Sequence, residues 1–178
     1  DYYPHIGDPV GVQGDAISEG KRYSNHLPDA KHLTTLWFSK ENRAEIGLNP
    51  PSDAWNAMGG HQLRLDGTED DITLHPRVCA AILPNNKLLF LIVDGRQHGY
   101  SEGISLVEVA ELFRARGATA AINLDGGGST TLVAADSAGR PQILNSTIDN
   151  KIPGRERPVA NHLGIFAAPL TMPVETDK

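Results

Sequence analysis

The residues with the clearest chemical potential are Asn123-Leu124-Asp125-Gly126-Gly127-Gly128-Ser129-Thr130-Thr131, in which a carboxylate, three glycines and three hydroxyls follow one another. Glycine admits positive φ and lets other atoms close to the backbone, so successive N–H groups of such a run can converge on an anion. A plain tight turn is the alternative use of the same three glycines. A Walker loop is excluded, because no Gly-Lys-Ser/Thr follows and Thr130-Thr131-Leu132-Val133 is β-prone rather than helical. A second carboxylate–glycine pair stands upstream in Asp94-Gly95-Arg96, followed by His98 and Ser101-Glu102-Gly103, and His75-Pro76-Arg77 precedes them all. Two aspartates, an arginine and glycine-loop amides suit an anionic substrate. The plainer reading makes each aspartate a turn cap, with Arg96 as the ion-pair partner of one.

The elements that position these residues are legible around them. The apolar runs 88–93 and 119–124 each end at one of the two aspartates. Between them, Ser105-Leu106-Val107-Glu108 matches a capping box, Ile104 and Val109 can form the hydrophobic staple, and Gly117 stands at the C′ position. A helix from Ser105 to Arg116 would place Leu106, Val109, Ala110 and Phe113 on one face. Strand, helix and strand then form a β-α-β unit with parallel strands. Parallel strands finish on one sheet edge, so Asp94-Gly95-Arg96, Asp125 and the three glycines should meet there, beside the helix N-terminus.

The remaining chain is read more coarsely. Residues 1–32 are rich in Gly, Pro, Asp and His and should be mostly loop, with a short strand at 10–17. Residues 33–38 and 43–46 form a β-hairpin, and 54–65, interrupted by Gly59-Gly60, read as two short extended pieces. The runs 78–83 and 88–93, joined at Pro84-Asn85-Asn86-Lys87, form an antiparallel pair, with the second as a central strand covered on both faces. Residues 132–135 and 141–144 pair across a turn, 145–154 form an exposed loop, and 159–167 a closing strand. The whole is an α+β fold: a mostly antiparallel, mixed twisted sheet with one β-α-β crossover and few helices, over residues 1–168, followed by a flexible tail at 169–178.

Composition narrows the function classes. The 178 residues are 39% hydrophobic and 21% charged, which suits one soluble domain with a proper core. The net charge of −6 argues against a non-specific nucleic-acid binder, and no apolar segment is long enough to span a bilayer. Cys79, the single cysteine, lies in an apolar run and reads as a small buried hydrophobe rather than a reactive thiol. The carboxylates of 66–71 make a solvated acidic turn whose spacing does not match an EF-hand loop, so a divalent ion there is a minor alternative and no cofactor is expected. The chain opens at Asp1 with no signal sequence, which implies either a cytosolic protein or removal of an upstream segment.

Taken in order, His75-Pro76-Arg77, Asp94-Gly95-Arg96, Ser101-Glu102-Gly103, Asn123 through Ser129 and Arg157-Pro158-Val159-Ala160-Asn161 resemble the motifs of the phosphodiester glycosidases, over about residues 8–168. The resemblance implies hydrolysis of a sugar-1-phosphodiester, with the sugar released and the phosphate left on its carrier, and a secreted or periplasmic protein of bacterial or phage origin. It also implies a partner in the form of a phosphate-linked sugar or glycan. Members of the family ordinarily begin with a strand ending in an Asn-Gly-x-Phe-like motif, which these residues lack. A further N-terminal segment or a second chain is therefore expected to complete the sheet.

Phosphate is already a good leaving group, so stabilising its charge matters more than protonating it. Arg77, Arg96, Arg157, the amides of Gly126, Gly127 and Gly128, and Ser101, Ser129, Thr130 and Asn161 are the corresponding substrate-binding candidates. Asp94, Asp125 or Glu102 would serve as nucleophile or general base, and His75 or His98 as proton donor. The roles among the carboxylates stay open. A non-catalytic anion- or glycan-binding module and a metal-dependent hydrolase using Asp94 and Asp125 are the alternatives.

Overall fold

A computed structural model describes residues 12, 14–24 and 33–167. The expected tail at 169–178 and part of the strand expected at 10–17 lie outside the described residues. The strands of the main sheet are β1 (Ala16–Ser18), β2 (Lys21–Arg22), β3 (Leu33–Phe38), β4 (Ala44–Gly47), β5 (Asn56–Gln62), β6 (Arg77–Leu83), β7 (Lys87–Val93) and, after the helix α1 (Leu106–Ala115), β8 (Ala120–Asn123). Two small hairpins follow, β9 (Val133–Ala135) with β10 (Pro141–Ile143) and β11 (Ile148–Asp149) with β12 (Ile152–Pro153). The architecture is α+β, mostly antiparallel, with a single α-helix among the described residues.

The main sheet runs β2-β1-β5-β8-β6-β7, and the β3–β4 hairpin joins it along β5. β6 is antiparallel to both β7 and β8, so these two run parallel to each other with β6 between them. The register decides where the chemistry lies. Arg77 pairs with Val93, and Cys79, two residues along the same strand, pairs with Asn123. The ends of β7 and β8, and with them Asp94 and Asp125, are thereby brought to one edge of the sheet, as the β-α-β reading requires.

Local chemistry explains the elements. Ser105 Oγ accepts from the Glu108 N–H and the Glu108 carboxylate accepts from the Ser105 N–H, which closes the capping box of α1. At the far end Gly117, at φ +75°, donates its N–H to Arg114 O. The β6–β7 turn needs left-handed backbone at Asn85 and Asn86, a conformation that asparagine tolerates. Asn86 also ties two hairpins together, accepting from the Ala44 N–H and donating to Asn42 O.

Both faces of the sheet are covered. Leu106, Val109, Ala110 and Phe113 of α1 pack with Leu63, Cys79, Ala81 and Ala121 on one side. On the other, Leu36 and Ala44 of the β3–β4 hairpin meet Ala80, Ile122 and Leu124. Cys79 is fully buried, and burial pushes its thiol pKa up to about 12, which makes it the inert hydrophobe expected.

Four expectations are corrected. Residues 56–62 are one strand, because Gly60 lies where a Cβ would stand 2.6 Å from Asn123 O; the glycine serves the approach of β8 and does not break the strand. Among the described residues β7 is an edge strand, apolar because both faces are packed although none of them pairs with one of its backbone edges. Residues 145–154 are not simply an exposed loop, since Thr147, Ile148 and Asp149 are buried. Residues 159–167 form no strand, and within them Leu163 packs against the core.

Candidate active site

The glycines of the sequence motifs share a structural task before any chemical one. His75-Pro76 threads between the Asp94, Ser101 and Asp125 segments with no room for side chains from them. A Cβ on Gly95 would lie 2.7 Å from Pro76 N, one on Gly103 2.5 Å from the His75 carbonyl carbon and oxygen, and one on Gly126 2.7 Å from Pro76 O. Gly127 N–H then donates to Pro76 O at 2.9 Å. Glycines from three motifs are thus locked around the two residues that precede β6.

Two further glycines receive guanidinium groups. The Arg96 group lies against Gly127, whose Cβ would stand 2.9 Å from Nη1, and the Arg157 group lies against Gly128, whose Cβ would stand 2.5 Å from Cζ and Nη2. Two cations therefore rest on consecutive residues of one loop. This differs from a nest of three free amides. The Gly126 N–H is taken by Asp125 Oδ1 at 2.9 Å and the Gly127 N–H by Pro76 O, so the charged donors gathered at this loop are the two side-chain cations rather than these amides. Arg96 reaches its position from a left-handed backbone, φ +57°, an unusual conformation for a residue with a side chain. The turn is held by Arg96 N–H to Glu102 O at 3.2 Å and Gln97 N–H to Ser101 O at 2.9 Å.

Asp94 is bound on both oxygens. Oδ1 accepts from Asn145 Nδ2 at 2.9 Å, and Oδ2 from the Ser146 N–H at 3.0 Å and the Tyr100 hydroxyl at 2.9 Å. The hydrogen bond to Asp94 raises the Tyr100 pKa, since it favours the protonated phenol. Ser101 Oγ donates to Asp94 O at 2.7 Å, so this serine shapes the turn. Asn145 extends the network: its Nδ2 also donates to Thr130 O at 3.0 Å and its Oδ1 accepts from the Leu132 N–H at 2.7 Å. Asp94 is thereby coupled to the exit of the glycine loop. Thr130 is buried, and its Oγ1 has no partner among the described residues. Asp125 is exposed at the end of β8, and Ser129 ends the short 3-10 turn that starts at Gly127.

His75 stands beside Arg96, with Nδ1 at 3.2 Å from Nη2. A guanidinium only donates, so Nδ1 accepts and the ring proton sits on Nε2. Burial, then the charges of Arg96 and Arg77, lower the His75 pKa and keep the imidazole neutral.

Other candidates fall outside this cluster. Arg77 is buried and committed to Asp71 Oδ2 at 2.9 Å, Thr73 O at 3.0 Å and Ile104 O at 3.4 Å, which sets it apart from the guanidinium groups of Arg96 and Arg157. Glu102 faces solvent and pairs with the exposed His98 at 3.2 Å. Asn161 is half-buried in the segment that forms no strand. Sequence reasoning missed Tyr100, Asn145, Ser146 and Asp149. Tyr100 lies inside the quoted motif region, whereas Asn145 and Asp149 sit in a stretch taken for loop and carry no spacing signal. The acidic turn is largely self-contained: Arg64 bridges Glu69 and Asp70, and Asp71 holds Arg77. Among the described residues no group of three or more His, Cys, Asp or Glu is placed to hold a metal ion, and no helix is long and apolar enough to cross a membrane.

A family model described as phosphodiester glycosidase matches residues 5–166. The chain belongs to the phosphodiester glycosidase family. A similar solved structure is the catalytic domain of zebrafish N-acetylglucosamine-1-phosphodiester alpha-N-acetylglucosaminidase, auto-inhibited by its pro-peptide, with a TM-score of 0.56 and 21% identity over 74% of this chain. The match covers 50% of that zebrafish chain, so the present phosphodiester glycosidase domain spans about half its length. At this identity the likeness shows a shared fold. No curated protein sequence matches the chain.

Proposed function

We propose that this domain hydrolyses the glycosidic C1–O–P bond of a sugar-1-phosphodiester. Water adds across that bond, its hydroxyl going to C1 and its proton to the phosphate oxygen, so a free sugar and a phosphomonoester result. The observation that carries the reading is the pair of guanidinium groups of Arg96 and Arg157 on the consecutive glycines 127 and 128, next to two strand-end aspartates. Guanidinium groups recognise phosphate oxygens by charge-assisted hydrogen bonds and stabilise the charge that develops on a phosphate leaving group. Asp94, with both oxygens bound, acts as the carboxylate that orders the site. Asp125, exposed at the strand end, is the nucleophile or base. His75 offers its Nε2–H to the departing oxygen or to the sugar.

The test is incubation with methyl diesters of glucose-, galactose- and N-acetylglucosamine-1-phosphate in ¹⁸O-enriched water. Phosphorus NMR should show diester converting to methyl phosphate, with the label in the sugar hydroxyl, and the signal should vanish in Asp125→Ala. Label in the phosphate would mean attack at phosphorus and overturn the reading. Binding of methyl phosphate with no turnover of any diester would instead make the domain an anion-binding module.

A further inference from the structure

We propose that Asp149, at the end of β11, is a positioning residue for anion recognition: it holds the Arg157 guanidinium by its Nε edge, flat on Gly128, so that the Nη groups are presented to a substrate phosphate. The inference rests on the reading of this loop as a phosphate site and adds the residue that makes Arg157 fit for it. Asp149 is only 5% exposed, and its Oδ1 accepts from Arg157 Nε at 2.8 Å. Its Oδ2 accepts from Asn150 Nδ2 at 3.0 Å and faces Arg155 Nε at 3.7 Å. Among the described residues neither Nη of Arg157 has a hydrogen-bond partner, although its Nε is fixed and its side chain is only 28% exposed. A long cationic side chain otherwise samples many rotamers, and a carboxylate behind it removes that freedom before the anion arrives. The same geometry explains the third glycine of the loop. Gly128 is not in a left-handed conformation, so its lack of a side chain serves the guanidinium resting on it and not the backbone turn.

A purely structural Asp149 would stabilise the β11–β12 hairpin whatever residue stood at 157. A double-mutant cycle separates the two roles. Affinity for methyl phosphate is measured by titration calorimetry, with KM for a methyl sugar-1-phosphodiester wherever turnover is seen. Asp149→Asn should weaken methyl phosphate about tenfold and raise KM similarly with little change in kcat, the scale of one charge-assisted contact. Asp149→Glu should recover part of the loss. In an Arg157→Ala background Asp149→Asn should change nothing, because no guanidinium remains to be positioned. Gly128→Ala, which displaces the guanidinium while leaving Asp149 in place, should reproduce the loss and serves as the deciding variant if Asp149→Asn does not fold. Equal losses from Asp149→Asn with and without Arg157, or unchanged affinity in Gly128→Ala, overturn the inference. Wild-type protein that binds methyl phosphate but hydrolyses no diester removes the glycosidase reading alone, and the cycle is then decided on affinity.

Discussion

His75 shows how far a residue's role depends on what surrounds it. Its Nδ1 can accept from Arg96 only while the imidazole is neutral, and burial together with Arg96 and Arg77 lowers its pKa from the ordinary 6.5, partly opposed by Asp71. For a histidine with a depressed folded pKa, the stabilising contribution is fully present above the unfolded value near 6.5 and is lost as pH falls below it. Protonation would also put a third positive charge against two guanidinium groups and release Arg96 from its place over Gly127. The expected result is a kcat/KM profile flat above about pH 6.5 that falls on an acid limb with a midpoint below it. The limb should coincide with the His75 ring titration followed by NMR. An acid limb that persists unchanged in His75→Gln would assign it to a carboxylate.

At the scale of elements, the ion pair between Asp71 and Arg77 fixes the start of β6 relative to α1, since Asp71 O also accepts the N–H groups of Leu106 and Val107 in the first turn of the helix. Removing Asp71 strands a buried guanidinium. Asp71→Ala should lower stability by about 2–3 kcal/mol, under the fully buried range because the aspartate side chain is 35% exposed, whereas Arg77→Met should cost less. Chemical denaturation of both variants checks the order, and the reverse order would mean that Arg77 carries a role beyond pairing. Arg77 also marks where sequence stops being informative. A basic residue next to a histidine and a proline looks the same whether its guanidinium faces an anion or a carboxylate six positions back. What was legible rests on local rules: the capping box at Ser105 and Glu108, the glycine at 117, and the turn asparagines that join β6 to β7. What was not legible depends on distant partners. Gly60 reads as a strand breaker until β8 lies against it, β7 reads as central because an edge strand with two packed faces has the same composition, and Asp149 acquires meaning only when Arg157 and Gly128 meet it.

The molecule as a whole is a sheet with a long excursion attached at its chemical edge. β6, β7, β8 and α1 form a packed framework, whereas residues 127–157 carry the Gly127–Ser129 turn, two small hairpins and Arg157. A two-stranded hairpin is marginally stable alone, so its position depends on ties to the framework. Those ties converge on one place. Asn145 joins Asp94, Thr130 O and the Leu132 N–H, and beside it Ser146 exchanges hydrogen bonds with the Gln97 side chain, Nε2 to O at 2.9 Å and Oγ to Oε1 at 2.8 Å. Asn145→Ala deletes three hydrogen bonds that act on the excursion and none within the sheet. Amide hydrogen exchange should therefore rise across 127–149 while 77–93 stays protected, because local opening is governed by the contacts of the segment that opens. The thermal midpoint should move by only a few degrees, as the framework core is untouched. Turnover and methyl phosphate affinity should both fall about tenfold or more, since Arg157 and the glycine loop lose their fixed relation to Asp94. Exchange that accelerates equally in β6 and β7 would show that the excursion and the framework open as one unit, and the site would then be only as ordered as the whole domain.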